Sequence, residues 1–193
     1  MNDQTNYTPP TDDNRAGITS RELLNLYEAA GVARAELVLQ QLEEDAILDI
    51  TFLLQLHRTA FGELYEWAGK WRTLEVQVGN HVPPGPARIP NLMYQFSEEL
   101  DFRLKSAKNR AELEDTLAWL HHRFVWIHPF NNGNGRTARL LLNAAALLNG
   151  YRPLQLYHRE GESRKIYIEA IRQADTGDLS ALRSLISKEL TAL

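Results

Sequence analysis

The sequence predicts an all-α domain of about seven helices with one short β-hairpin. Apolar residues recur every three to four positions through most of the chain, which is the period of an amphipathic helix. A strongly apolar run, Leu140 to Leu148, has no Pro or Gly inside it and is rich in Leu and Ala, so it reads as a buried central helix. Alternation of strand type occurs only near residues 72–78, where Thr73, Val76 and Val78 precede turn-forming Gly and Pro residues.

At 193 residues the chain suits one domain with a full hydrophobic core. With 44% hydrophobic and 24% charged residues it has an ordinary globular composition. The formal charge of −4 gives no global electrostatic case for nucleic acid or an anionic membrane. The absence of cysteine excludes disulfides, thiol catalysis and a Cys-type zinc site. The first fifteen residues are polar and do not resemble a signal peptide, and no apolar run approaches the ~20 residues of a membrane helix. The expected place is the cytoplasm.

Residues 1–17, rich in Asn, Asp, Thr and Pro, read as a flexible arm before a domain over 18–193. Thr19 or Ser20 can cap a first helix from Arg21 to about Glu43, with Leu23, Leu24, Tyr27, Ala30, Val38 and Leu42 inward and a bend at Gly31. Asp45 or Asp49 opens a second helix, Ile50 to about Glu63, and His57 beside its apolar stripe reads as a packing residue. Trp67 and Trp71, in an aromatic turn, read as core packing too. Residues 72–89 read as the hairpin. Pro90 starts a helix with Leu92, Met93, Phe96, Leu100 and Leu104 inward.

Asn109 with Glu112 makes a capping box for the next helix, whose residues Leu113, Leu117, Leu120, Phe124 and Ile127 step by four and three. This helix runs into His128-Pro129, where the proline is expected to hold His128 extended. His121 and His122 suggest a three-histidine metal site only weakly, since no carboxylate completes it. After Gly150 and a linker, Ser163 can cap a helix over 164–174, and Asp178 a last helix to about Leu190.

The chemistry concentrates in the run from His128 to Arg139. The apolar helix is expected to begin between Gly133 and Arg136. Its first N–H groups and its dipole would face an anion there, and the glycines let the anion approach. Arg136 and Arg139, three apart on one face, can both donate to phosphate oxygens. His128, just before, can take a proton from an attacking hydroxyl. The residues alone therefore suggest phosphoryl or nucleotidyl transfer with His128 as base.

This run resembles the signature of the Fic domain, His-x-Phe-x-(Asp/Glu)-Gly-Asn-Gly-Arg-x-x-Arg. His128, Phe130, Gly133, Asn134, Gly135, Arg136 and Arg139 match, and Asn132 stands where the family has a carboxylate. The resemblance covers roughly residues 45–190 and implies a Fic-type helical bundle whose hairpin, the flap, is residues 72–89. The first helix and the Trp-Ala-Gly turn resemble the bacterial subgroup labelled mobile mystery protein B.

What the resemblance implies is a protein adenylyltransferase that moves AMP from ATP to a Ser, Thr or Tyr hydroxyl of a target protein. His128 would be the base, and Phe130 would anchor the loop in the core. Asn132, Gly133, Asn134, Gly135, Arg136 and Arg139 would form the nucleotide site, with Mg²⁺ at position 132. Magnesium favours anionic oxygen, so the amide of Asn132 predicts weakened metal binding. It also keeps open kinase-like transfer, as in the Doc branch, or a nucleotide-binding regulatory module. The family's inhibitory (Ser/Thr)-x-x-x-Glu-(Gly/Asn) motif has no exact copy here, so an antitoxin-like inhibitor protein, as in toxin-antitoxin pairs, is expected as a possible partner, as is a homodimer.

Overall fold

The computed structural model describes residues 14–157 and 160–193. Among them are seven α-helices: α1 Arg21–Leu39, α2 Ile50–Phe61, α3 Ile89–Ser106, α4 Arg110–Ile127, α5 Asn134–Leu148, α6 Glu162–Asp175 and α7 Ser180–Glu189. The apolar run forms α5, and it is central. Leu140, Leu141, Leu142, Ala144, Ala145 and Ala146 are all buried, and α4, α1 and α2 pack around them. Alanine on so many faces lets these helices approach closely, which is why the motif-bearing helix can be enclosed.

The caps follow sequence chemistry. The hydroxyl of Ser20 accepts from the Leu23 N–H, the carboxylate of Asp49 from the Phe52 N–H, and the side chain of Asn109 from the Glu112 N–H. Glu112 returns the bond to the Lys108 N–H at 2.7 Å. Pro90 lies in the first turn of α3, after a 3₁₀ turn over Pro86–Arg88. Asp178 accepts the Ser180 N–H just before α7, but the capping position itself is Leu179, and no side chain caps it. Ser163 does not cap. It falls inside α6, which begins one residue earlier, after Gly161 at φ +84°.

Several expectations are corrected. The hairpin over 72–89 is absent, and no sheet occurs among the described residues. Val78 and His81 form an isolated antiparallel bridge around Gly79-Asn80. Pro83, Pro84 and Pro86 have no N–H to give a ladder. The buried guanidinium of Arg72 takes its place, donating to the carbonyls of Leu74 and Pro84 on the two arms.

The first helix ends at Leu39, and its inward face is Leu24, Glu28, Gly31, Ala35 and Leu39, while Leu23, Tyr27 and Val38 are exposed. The stripe is rotated because small residues face α2. The helix runs unbroken through Gly31, where a Cβ would collide with the carbonyl of Ala60. Of the predicted arm, residues 1–13 lie outside the described residues. Asn14 is buried, and its side chain bonds both the N–H and the carbonyl of Ile18 at 2.8 Å, so the described end of the arm is fixed to the domain.

Candidate functional site

The site is built where α4 ends and α5 begins. The His128 N–H still donates to the Phe124 carbonyl, closing the last turn of α4, and the chain then reverses. His128 does this in the left-handed region, φ 53° and ψ 59°, not in the extended conformation that Pro129 alone favours. It is the one non-glycine residue there among those described. Such a conformation costs on the order of 1–3 kcal/mol and must be held by its surroundings. Arg72 holds it: its Nε donates to the His128 carbonyl at 2.7 Å, and its backbone N–H donates to the Pro129 carbonyl at 2.8 Å.

The His128 ring is oriented by its own helix. Nδ1 lies 3.3 Å from the Val125 carbonyl, which can only accept, so Nδ1 carries the hydrogen and Nε2 keeps its lone pair. Burial lowers the pKa to about 4, and the charges of Arg72 and His81 act in the same direction. The imidazole is therefore neutral at pH 7 and able to accept a proton.

The loop from Phe130 to Gly133 is fastened from three sides. Asn134 accepts from the Phe130 N–H and donates to its carbonyl, both at 2.8 Å, tying the loop into a ring. Its side chain is buried and committed, so what it can offer a phosphate is its backbone N–H. Gly133 at φ 77° presses on Phe61, where a Cβ would clash with the ring. His57 is fully buried and stacks on Phe130 with centroids 3.6 Å apart. It accepts the Gly69 N–H at Nδ1 and donates from Nε2 to the Asn132 carbonyl. Burial, first, lowers its pKa to about 3, so it stays neutral, and those two bonds fix its tautomer. Trp71 completes the wall around Phe130.

The two motif arginines have different neighbours. Arg136 donates to Glu28 of α1 at 2.7 Å and lies over Phe61. Glu28, 4% exposed, also accepts from the Tyr65 hydroxyl. Arg139 lies over the Tyr157 ring, its guanidinium carbon 4.6 Å from the centroid. Burial lowers its pKa from the usual arginine range, with Tyr167 and Tyr157 acting in the opposite direction. His121 and His122 are turned onto different partners, Tyr167 and Asp175, and no three metal-ligating side chains cluster among the described residues.

At position 132 the donor set does not fit a protein-held Mg²⁺. The side-chain oxygen of Asn132 is a neutral amide, and it already accepts the Gly133 N–H at 2.7 Å. Magnesium prefers hard anionic ligands, and none stands at this position.

The family model described as the Fic/DOC family matches residues 47–146. The chain belongs to that family. It is 35% identical to the protein adenylyltransferase Fic of Nematostella vectensis over 159 residues, which is 82% of this chain and 35% of that protein. Its identity to the protein of the same name from Drosophila willistoni is also 35%, covering 82% of this chain and 30% of the relative. The Fic/DOC chain thus spans about a third of the length of these relatives.

Among solved structures, the BepC protein of Bartonella tribocorum, with bound AMPPNP, superposes with a TM-score of 0.80 at 16% identity, covering 98% of this chain and 95% of that one. Fic-1 from C. elegans superposes with a TM-score of 0.74 at 26% identity, covering 91% and 52%. The all-helical fold of this Fic/DOC chain is the fold of those proteins.

Sequence reasoning missed Glu28 and Arg72 and undervalued His57. Nothing local marks the charged Arg72 as 1% exposed. The signal for His57 was its position on an apolar face followed by an aromatic turn containing Gly69.

Proposed function

We propose that this chain transfers AMP from ATP to a hydroxyl of a target protein. The observation that carries the reading is His128: a half-buried, neutral imidazole with Nδ1 spent on a carbonyl, Nε2 available, and the N-terminus of α5 six residues on. In the step, the target oxygen bonds to the α-phosphorus and its proton passes to His128 Nε2. The bond from the α-phosphorus to the bridging oxygen breaks, and pyrophosphate leaves with the electron pair. The amides of Gly133 and Gly135 and the guanidinium groups of Arg136 and Arg139 take the phosphate charge. Phe130 anchors the loop that carries them. The curated relatives bear the name protein adenylyltransferase, and BepC was solved with an adenine nucleotide analogue. Both support ATP as the donor.

Asn132 favours a second reading, a slow enzyme or a nucleotide-responsive module, because its oxygen is neutral and already engaged. Any Mg²⁺ would arrive on the nucleotide. The mobile mystery protein B subgroup, a cytoplasmic toxin-like role, an antitoxin-like inhibitor and a homodimer complete the proposal and rest on the sequence resemblance.

The test is parallel incubation with α-³²P-ATP and γ-³²P-ATP, a divalent cation and a cell lysate, for wild type and His128→Ala. Label from the α-phosphate alone, lost in the variant by ~10²-fold or more, is expected. Label from the γ-phosphate would make it kinase-like. Nucleotide affinity without label would favour the binding module.

A further inference from the structure

His57, fully buried on α2, reaches the motif loop through two hydrogen bonds to backbone groups. Each group has a single role, so the directions are fixed. The Gly69 N–H can only donate, so Nδ1, 2.8 Å away, accepts. The Asn132 carbonyl can only accept, so Nε2, 3.1 Å away, donates. The ring is therefore the neutral Nε2–H tautomer. Burial, with the charge of Arg136 acting in the same direction, keeps a second proton off it.

The ring is held in this orientation from all sides. Gly69 has φ 74°, and a Cβ there would lie 2.8 Å from Cβ of Arg58 and 2.9 Å from the Leu54 carbonyl oxygen, so only glycine brings its N–H down onto α2. Phe130 stacks on the ring with planes 14° apart, and the rings of Phe61 and Trp67 lie at 4.9 and 5.9 Å between centroids. Turning the imidazole over would exchange donor for acceptor and break both bonds together.

What the Nε2–H fixes is a peptide plane. In a trans peptide the carbonyl and the following N–H point in opposite directions. With the Asn132 carbonyl held by His57, the Gly133 N–H is turned the other way. Its acceptor in the ligand-free chain is the neutral side-chain oxygen of Asn132, at 2.7 Å. Gly133 lets a phosphate come close, but glycine tolerates either sign of φ, so the same residue leaves the peptide before it free to flip. We propose that His57 is a positioning residue that prevents this flip, holding the Gly133 N–H toward the phosphate that replaces the Asn132 side-chain oxygen. A loop amide stabilises charge in a transition state only when it is already aimed. The catalytic consequence rests on the nucleotidyl-transfer reading; the two bonds and the peptide orientation can be observed without turnover.

The experiment uses the full chain, labelled with ¹⁵N. Long-range nitrogen–proton spectra should show His57 as the Nε2–H tautomer at pH 7, and an Nδ1–H or doubly protonated ring would overturn the proposal. Labelling from α-³²P-ATP and calorimetric titration with AMPPNP are then compared for three variants, each checked by thermal melting. His57→Phe keeps a stacking ring and loses both bonds. His57→Asn keeps an acceptor for Gly69 and loses the donor to Asn132. His57→Gln places an amide N–H where Nε2 stood. The first two should lower the labelling rate roughly 10- to 100-fold, with a smaller change in AMPPNP affinity, and should shift and broaden the Gly133 amide signal. His57→Gln should recover most of the rate and of the signal, whereas packing alone would rank His57→Phe above it. A wild-type rate with an unaltered Gly133 signal in His57→Phe, or His57→Gln no better than His57→Asn, would refute the positioning role. If His57→Phe fails to fold, the Gln and Asn variants decide between the donor and packing. If wild type neither labels a target nor binds AMPPNP, nucleotidyl transfer fails, and the tautomer and the Gly133 signal still decide what His57 holds.

Discussion

Moderate acid should unfold this protein through two buried histidines and a half-buried one. His57, His121 and His128 have pKa values lowered from 6.5 to about 3, about 3 and about 4, with burial the largest cause in each. The folded state therefore resists protons that the unfolded chain accepts. Stability from these groups is present in full above pH 6.5 and is lost as pH falls from there toward 3 to 4. At pH 5 each group costs about 2 kcal/mol relative to pH 8, taking 6.5 for the unfolded chain. The three together remove about 6 kcal/mol, comparable with the whole stability of many domains.

Glu114, whose pKa is lowered by its contacts with Arg110, Ser187 and Arg183 against a desolvation cost, acts below its ordinary value of 4.5 and so does not blur this window. Urea titrations at pH 8, 7, 6 and 5 would measure the effect. The slope should steepen below pH 6.5 toward uptake of about three protons on unfolding. A change of less than about 1 kcal/mol between pH 8 and 5 would show that these rings gain protons in the folded state, and would remove the case for His128 as a neutral base.

Gly133→Ala should destabilise by a few kcal/mol, because the residue needs φ 77° and its Cβ meets the Phe61 ring; thermal melting measures it, and a wild-type melting temperature would contradict it. Arg72→Met should cost several kcal/mol and lower labelling, since it frees the carbonyls of His128, Leu74 and Pro84; circular dichroism with labelling would separate unfolding from a loosened loop. Asn132→Glu should raise labelling and increase its dependence on added Mg²⁺ by supplying an anionic oxygen, and equal rates across a magnesium titration would refute that account.

The sequence by itself determined the helices, the breaks between them and the position of the chemistry. Local rules suffice for these: Asp49 and Asn109 accept the first free N–H groups, Pro90 suits a first turn, and an apolar run without breakers can only be buried. It also placed the glycines, arginines and histidine of the motif together at the N-terminus of α5, where the structure finds them. Tertiary structure decided what each polar side chain does. Arg72 stands 56 residues from His128, Glu28 stands 108 from Arg136, and His57 stands 75 from Asn132. No periodicity couples positions so far apart. The flap shows the same limit. Alternating residues permit a strand, but a ladder needs partner N–H groups, and once the prolines removed them the folded chain used one buried guanidinium in their place.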